Sequence, residues 1–304
     1  MDKYNRIKGI SLAIVGASFW GLGGTVSDYL FQHQHIDMNW YVTARLLISG
    51  VLLLCLFKLT HKQHSLFIIF KDKDSIIQLL LFSIFGMFLV QYSYMASINY
   101  GNAAVATLLQ YIAPVYIIIW YVFRKKDTFK AFDLIAIILT IAGSFLLLTN
   151  GSIYNLMVAK SSIIWGIISG LSLAFYTIYV GNLLKKYPSV LVVGWSMLIS
   201  GIFINFKAPI WDIDIQLLNG QTIFYLLFGI IAGTTIAFFF FISSLNYLSA
   251  KETAFFGTIE PVIAILSSAI WLNVAFLPFQ ILGILLILVL ILTISLKKGN
   301  TSEI

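Results

Sequence analysis

The chain has 304 residues, of which 60% are hydrophobic and 10% are charged, and its mean hydropathy is +0.95. A soluble domain has about 25% charged residues, so this composition excludes an ordinary soluble protein and indicates a membrane protein. The net charge of +7 would suit a nucleic-acid-binding protein. The basic residues, however, are concentrated in alternate loops between apolar segments, as in a membrane protein, and we predict no nucleic-acid partner.

Apolar segments follow one another along the whole chain. Most reach the roughly 20 residues that cross a hydrocarbon core about 30 Å thick, and the alternating pattern of a β-barrel is absent. The sequence therefore predicts an all-α polytopic membrane protein with ten transmembrane helices. The predicted helices span residues 7–31, 40–58, 75–98, 103–123, 130–149, 162–183, 190–206, 221–246, 252–272 and 276–296.

The distribution of Lys and Arg predicts the topology. Of the 19 basic residues, 16 lie on the side of the termini, whereas the opposite loops contain only Lys160 and Lys207, and Arg45 lies within the second segment. By the positive-inside rule, both termini are cytoplasmic, and we expect the cell membrane as the location. The first segment is too long for a signal peptide and has no small-residue cleavage site, so we expect an uncleaved anchor.

The loops and the cysteine content exclude several kinds of site. No loop exceeds 16 residues, and the chain has no phosphate-binding motif, so we expect no ATP-binding domain. Cys55 is the single cysteine, which excludes a disulfide framework within one chain. His33, His35, His61 and His64 are scattered over loops on both sides. We therefore predict neither a metal site nor a cofactor.

The sequence contains an internal repeat. Residues 97–115 (SINYGNAAVATLLQYIAPV) align without a gap with residues 244–262 (SLNYLSAKETAFFGTIEPV), at a constant offset of 147. The halves, 1–150 and 151–304, would each contain five helices, and because five is odd the second half would enter the membrane from the opposite side. Inverted repeats place a substrate site near the midplane and allow alternating access.

Several motifs carry a resemblance to a known family. These are the Trp20–Gly21 pair, Arg45 early in the second segment, and the prolines of the fourth and ninth segments, Pro114 and Pro261. With them the chain resembles the EamA-type transporters of the drug/metabolite transporter superfamily over nearly its whole length. The resemblance implies ten helices in two repeats and transport of small polar or amphipathic metabolites. The Gly-Glu pair that often closes the fourth and ninth helices of that family is missing, so its role does not carry over.

Glu260 is the main candidate for substrate binding or coupling. It lies about 12 Å into the ninth segment, close to the midplane. A carboxylate at this depth costs several kcal/mol unless it is paired, protonated or facing a water-filled cavity. Such a group is suited to binding and releasing a proton during transport. The structural alternative is a protonated Glu that only holds neighbouring helices together.

The prolines predict helix kinks. Pro261 and Pro114 have no amide hydrogen and leave the carbonyls of Gly257 and Gln110 without helical partners. Within a membrane, such carbonyls must line a cavity or meet another polar group, so we expect both helices to bend toward a central pathway. A packing kink without ligand contact is the alternative. Gly21 permits bending or close approach. Thr107 and Thr258 are the nearby polar candidates for satisfying the freed carbonyls.

Arg45 and Asp28 form a second charged set. Arg45 lies about five residues into the second segment from the outer side, and Asp28 lies near the outer end of the first. An outer gate and a structural ion pair between the two are equally consistent with this placement. Pairing of Arg45 with Glu260 is disfavoured because their depths differ.

Aromatic residues complete the candidates. Most membrane aromatics pack or face lipid, but an aromatic box with one carboxylate would suit a cationic or amino-bearing substrate. The candidates for substrate contact beside Glu260 are Trp20, Tyr92, Tyr111, Tyr176 and Gln110.

These features together favour a secondary active transporter rather than an enzyme. We expect it to move a small polar or amphipathic metabolite, an amino acid or amine first, with protons as candidate coupling ions and the bilayer as its environment. A multidrug exporter for lipophilic cations is the main alternative, and an intramembrane enzyme or a channel is less favoured. The direction of transport and the oligomeric state stay open.

Overall fold

The structure, a computed structural model, describes residues 3–125 and 130–297. All regular elements within these ranges are helical, which confirms the predicted all-α fold. Eight of the described helices are long and apolar enough to cross a membrane, and two shorter apolar helices accompany them. The chain is therefore a multi-pass membrane protein. Two of the basic residues in the charge asymmetry, Lys126 and Lys298, lie outside the described residues.

The helices follow the predicted segments closely. Short 3-10 turns occupy Ile68–Lys71 and Ile215–Leu217 in the connecting loops. The helices are α1 Lys3–Gln32, α2 Met38–Thr60, α3 Lys73–Tyr100, α4 Ala103–Phe123, α5 Ala131–Thr149, α6 Lys160–Leu184, α7 Ser189–Asn205, α8 Gly220–Ser244, α9 in the pieces Ala250–Gly257 and Ile259–Ile270, and α10 Pro278–Lys297.

Helices α3 and α8 each contain a π-helical segment. The segment is Phe82–Phe88 in α3 and Phe228–Ile236 in α8. At the offset of 147 seen in the sequence, the first segment falls inside the second. Such segments are rare and often occur at functional sites. Neither stretch has a residue pattern from which a π-helical segment could be predicted.

Helices α4 and α9 are both broken, again at matching positions. The first piece of α4, Ala103–Gln110, and the first piece of α9, Ala250–Gly257, coincide at the offset of 147. Side chains of Asn102 and Ser249, also 147 apart, cap these pieces. The second pieces contain Pro114 and Pro261 in their first turns, a position that tolerates a residue without an N–H. The carbonyl four residues before each proline is left without a helical partner.

Helices α2 and α7 pack through a reciprocal pair of glycines. A Cβ atom on Gly50 would lie 2.7 Å from the amide nitrogen of Leu198, and one on Gly201 would lie 2.8 Å from that of Leu47. Both the glycines and the leucines are 151 positions apart. Each helix thus presents the same residues to the other, as around a two-fold axis.

Helices α5 and α10 show the same reciprocity. A Cβ atom on Gly143 would lie 3.1 Å from the carbonyl oxygen of Gly283, and one on Gly283 would lie 2.6 Å from that of Gly143. The absence of side chains lets the two backbones touch. The α2–α7 and α5–α10 contacts, called the glycine seams below, join the two halves of the chain.

Two exposed salt bridges also join the halves, at the end of the bundle that carries the N-terminus. Arg6 Nη2 of α1 lies 3.2 Å from Glu252 Oε1 of α9. Lys186 Nζ, after α6, lies 3.0 Å from Asp72 Oδ2, before α3. The Ser75 hydroxyl and the Lys186 ammonium lower the pKa of Asp72 from 3.8 to about 2.

We expect Gly50→Ala to destabilise the α2–α7 seam, because its methyl group would collide with the Leu198 backbone. Overpacking of this kind costs about 1–3 kcal/mol, and should lower the thermal unfolding temperature of the detergent-purified protein. Gly181→Ala is the matched control, since nothing lies within 4 Å of a Cβ atom there. Equal unfolding temperatures for the two variants would show that the seam is not tight.

The depressed pKa of Asp72 predicts a pH dependence. Its stabilising effect should be complete above its ordinary pKa and be lost as the pH falls toward 2, when the carboxylate takes up a proton. The unfolding temperatures of the wild type and Asp72→Asn should therefore differ by a constant amount from pH 5 to 8 and converge at acidic pH. Asp74→Asn, at an exposed neighbour, is the control. A difference that changes between pH 5 and 8 would contradict the assignment.

Candidate functional site

Glu260 lies in the first turn of the second piece of α9, directly after the break. Its Oε2 atom is 2.8 Å from the hydroxyl oxygen of Tyr111. The same hydroxyl is 3.0 Å from the carbonyl oxygen of Gly257. Glu260 is partly buried within the bundle. The positive end of the helix that begins here favours a negative charge at this position.

The Tyr111 hydroxyl, and not a threonine hydroxyl, is the hydrogen-bond partner of the carbonyl freed by Pro261. Pro261 leaves the Gly257 carbonyl without a helical partner, and Tyr111 supplies one from another helix. Neither Thr258 nor Thr107, the two polar candidates near the freed carbonyls, supplies this bond. Each threonine hydroxyl donates to a carbonyl three or four residues back in its own helix, which is the nearest acceptor for a short side chain on a helix.

The site therefore forms where the two broken helices meet. Tyr111 ends the first piece of α4, and Glu260 begins the second piece of α9. In the repeat, Tyr111 aligns with Thr258 and Glu260 aligns with Ala113. The contact joins one half of the chain to the other through residues that the repeat does not share.

The break in α4 is covered by α6. The Gln110 side chain donates to the hydroxyl of Ser169 at 2.7 Å. A Cβ atom on Gly170 would lie 3.0 Å from the carbonyl oxygen of Leu109 and 3.6 Å from that of Gln110. The predicted candidate Gln110 thus contacts α6, and within the described structure it makes no hydrogen bond to Glu260.

Helix α1 packs directly against the Glu260 backbone. A Cβ atom on Gly21 would lie 2.6 Å from the Glu260 carbonyl oxygen, so a glycine is needed for this approach. The adjacent Trp20 packs against two phenylalanines of α8, including Phe241, with ring centroids 4.8 Å apart. Phe241 in turn lies against Gly257. Trp20 is therefore one ring away from the break.

Arg45 approaches the site from α2. It is 6% exposed, and its Nε donates to the Thr234 hydroxyl at 2.5 Å, in the π-helical segment of α8. Its Nη1 atom is buried without a hydrogen-bond partner in the described part of the chain. Arg45 and Glu260 are near enough to attract each other electrostatically, although no salt bridge joins them among the described residues. The sequence predicts different membrane depths for Arg45 and Glu260, but the two side chains still lie close enough for this attraction.

Asp28 has a different partner from the predicted one. Its Oδ2 atom accepts a hydrogen bond from the Ala103 amide at 2.9 Å, at the first residue of α4. Arg45 bonds to α8, so the Asp28–Arg45 ion pair, one of the two arrangements consistent with the sequence, is absent from the described structure. The unpaired N–H groups at the start of a helix attract a carboxylate, and Asp28 thereby ties α1 to the broken helix α4.

Two predicted aromatic contacts lie elsewhere in the bundle. Tyr92 donates to the Asn39 side chain at 3.0 Å and packs edge-on against Trp165. Tyr176 packs against Phe82 with ring centroids 4.7 Å apart, beside the π-helical segment of α3. Within the described residues, neither tyrosine makes a hydrogen bond to Glu260.

Two broken transmembrane helices meet here at a partly buried carboxylate. Substrate sites of membrane transporters are typically built from broken helices of this kind. The model of the EamA-like transporter family matches residues 7–149 and again residues 160–296. The chain belongs to this family, which confirms the resemblance seen in the sequence.

Two relatives named as transporters agree with this assignment, and a solved structure shares the fold. The chain is 29% identical over 297 residues to the uncharacterised inner membrane transporter YicL of Salmonella typhimurium, covering 97% of this chain and 98% of that protein. It is 26% identical over 206 residues to the uncharacterised transporter YxxF of Bacillus subtilis, covering 66% and 64%. A crystal structure with 14% identity covers 99% of this chain and 100% of its own with a TM-score of 0.62, which shows a shared fold.

We expect Tyr111→Phe to destabilise the break in α9, because it removes the hydroxyl that meets both the Gly257 carbonyl and Glu260. Leaving a buried acceptor unpaired costs about 1–3 kcal/mol. Thermal unfolding in detergent measures this effect. Tyr116→Phe is the control, since the described structure gives that hydroxyl no hydrogen bond. If both variants unfold at the wild-type temperature, the Tyr111 hydroxyl does not support the break.

Proposed function

We propose that this protein is a secondary active transporter that moves a small amino-bearing metabolite across the cell membrane by alternating access, coupled to protons at Glu260. The observation that carries the proposal is the Tyr111 hydroxyl between the Glu260 carboxylate and the Gly257 carbonyl. This contact lies where the broken helices α4 and α9 meet.

The number of hydrogens available for bonding between Tyr111, Glu260 and Gly257 supports proton coupling. A tyrosine hydroxyl has one hydrogen to donate. While Glu260 is ionised, its carboxylate and the Gly257 carbonyl compete for that hydrogen. Once Glu260 takes up a proton, it can donate to Tyr111, and Tyr111 can donate to Gly257, so all three groups are satisfied. The protonation of Glu260 thus changes the bond that holds the broken backbone of α9.

Alternating access is supported by the matched irregularities of the two halves. The π-helical segments, the broken helices and the caps recur at one offset, and the glycine seams are reciprocal. We infer ten transmembrane helices in two inverted repeats, residues 1–150 and 151–304, with both termini cytoplasmic. Halves with equivalent geometry can exchange conformations, which opens the central site to each side in turn.

The substrate class is inferred from the carboxylate and its surroundings. An ammonium group is the natural partner of an ionised Glu260, and it would compete with the proton for the same oxygen atoms. Competition of this kind couples movement of the substrate in one direction to movement of the proton in the opposite direction. The aromatic cluster of Trp20 and the α8 phenylalanines offers cation–π and apolar contact one layer away.

An apolar crevice favours one alternative, an exporter of lipophilic cations. The crevice lies between α3 and α6, has a volume of about 420 Å³ and would admit a lipophilic molecule from the side. Its lining includes Leu81, Phe85, Leu89, Leu171 and Phe175. Binding of bulky aromatic cations together with rejection of amino acids would favour this second function.

We expect Glu260→Gln to abolish substrate-driven proton movement, because an amide cannot take up and release the proton. Proteoliposomes loaded with a pH-sensitive dye, and challenged with a panel of amino acids and amines, measure this flux. Asp74→Asn is the control, since Asp74 is an exposed carboxylate away from the site. Full proton flux in Glu260→Gln, with a substrate that moves protons in the wild type, would overturn the coupling.

A further inference from the structure

We propose that Arg45 Nη1 binds the carboxylate of the transported molecule, so that the substrate is a zwitterion held between Arg45 and Glu260. This inference rests on the proposed function and narrows its substrate class. An amino acid with a free carboxylate would be carried, and the corresponding amine would not.

The starting observation is a buried cation with an unused donor. Arg45 is 6% exposed, and its Nη1 atom has no hydrogen-bond partner among the described residues. A guanidinium stays charged in proteins, so it cannot escape burial by losing a proton. Burying a charge without a partner is costly, and an arrangement of this kind calls for an anion.

The guanidinium is held in place by the π-helical segment of α8. Thr234 donates its own hydrogen to the Gly229 carbonyl and accepts from Arg45 Nε. The small Gly229 also makes room for the hydroxyl of Tyr41, one turn before Arg45 on α2. Fixing Nε in this way leaves Nη1 free, and a guanidinium nitrogen is well suited to a carboxylate oxygen.

Among the described residues, no carboxylate fills this position. Asp28 accepts from the Ala103 amide, and Glu260 accepts from Tyr111. Neither is within salt-bridge distance of Arg45 in the described structure. Tyr41, Tyr94 and Glu260 are the groups that act electrostatically on the guanidinium, and Glu260 is the one acidic side chain among them.

An amino acid carries both of the charges that such a pair would bind. Its ammonium and carboxylate are attached to one carbon, so it can bridge a cation and an anion that attract each other without touching. The ammonium would take the place of the proton at Glu260, and the carboxylate would satisfy Nη1. An amine without the carboxylate would leave Arg45 unpaired, which is the basis of selection against it.

The test uses pairs of ligands that differ only in the carboxylate. Phenylalanine is compared with phenethylamine and phenylalaninamide, and leucine with isoamylamine. Binding to the detergent-purified protein is measured by thermal shift and by tryptophan fluorescence titration. We expect the wild type to bind an amino acid about tenfold or more tightly than its partner, as for one charge-assisted bond. In Arg45→Gln this preference should disappear while the affinity for the amine is retained.

Further variants keep the test decisive if Arg45→Gln does not fold. Arg45→Lys keeps the charge without the planar fork, and Thr234→Val removes the acceptor that orients Arg45. Both should reduce the preference for the amino acid. Amines that bind the wild type as tightly as amino acids, or a preference that survives in all three variants, would overturn the inference. If amines and amino acids bind the wild type equally but neither binds Glu260→Gln, the proposed function stands and the role of Arg45 is overturned. Binding of none of the probes would overturn both.

Discussion

The fold depends on one constraint: in hydrocarbon, each backbone N–H and C=O group must find a partner within the protein. Within the described helices, the internal hydrogen bonds meet this constraint except at the helix ends and at the two breaks. At the break in α9, the partner of the Gly257 carbonyl is a side chain from the other half of the chain, Tyr111. The need to satisfy one carbonyl therefore brings a tyrosine, a carboxylate and two broken helices to the same place.

The helices and their breaks could be predicted because they depend on local properties. Apolar length sets a transmembrane helix, and the bounds predicted for α4, 103–123, agree with Ala103–Phe123. Proline has the same local effect wherever it occurs, so Pro114 and Pro261 marked the breaks within a few residues. The repeat was visible because residues 97–115 and 244–262 kept their spacing.

The partners of the polar side chains could not be predicted, because they depend on how the helices pack. Thr258 is the nearest hydroxyl to the Gly257 carbonyl along the chain, yet Tyr111 reaches it from 146 residues away. Asp28 and Arg45 have opposite charges on neighbouring segments, but each bonds to another partner, the Ala103 amide and the Thr234 hydroxyl. The π-helical segments could not be predicted from their residues, although Thr234 in one of them accepts a hydrogen bond from Arg45.

The glycine seams have a consequence for the origin of the fold. In each seam, a glycine of one half meets the backbone of the other half beside its own counterpart. This is the contact that two copies of a single chain make in a symmetric dimer, where one surface recognises itself. A unit duplicated and joined in this way would carry both sides of each seam on one surface. The two halves of this chain differ at the site itself, where Glu260 in one half aligns with Ala113 in the other.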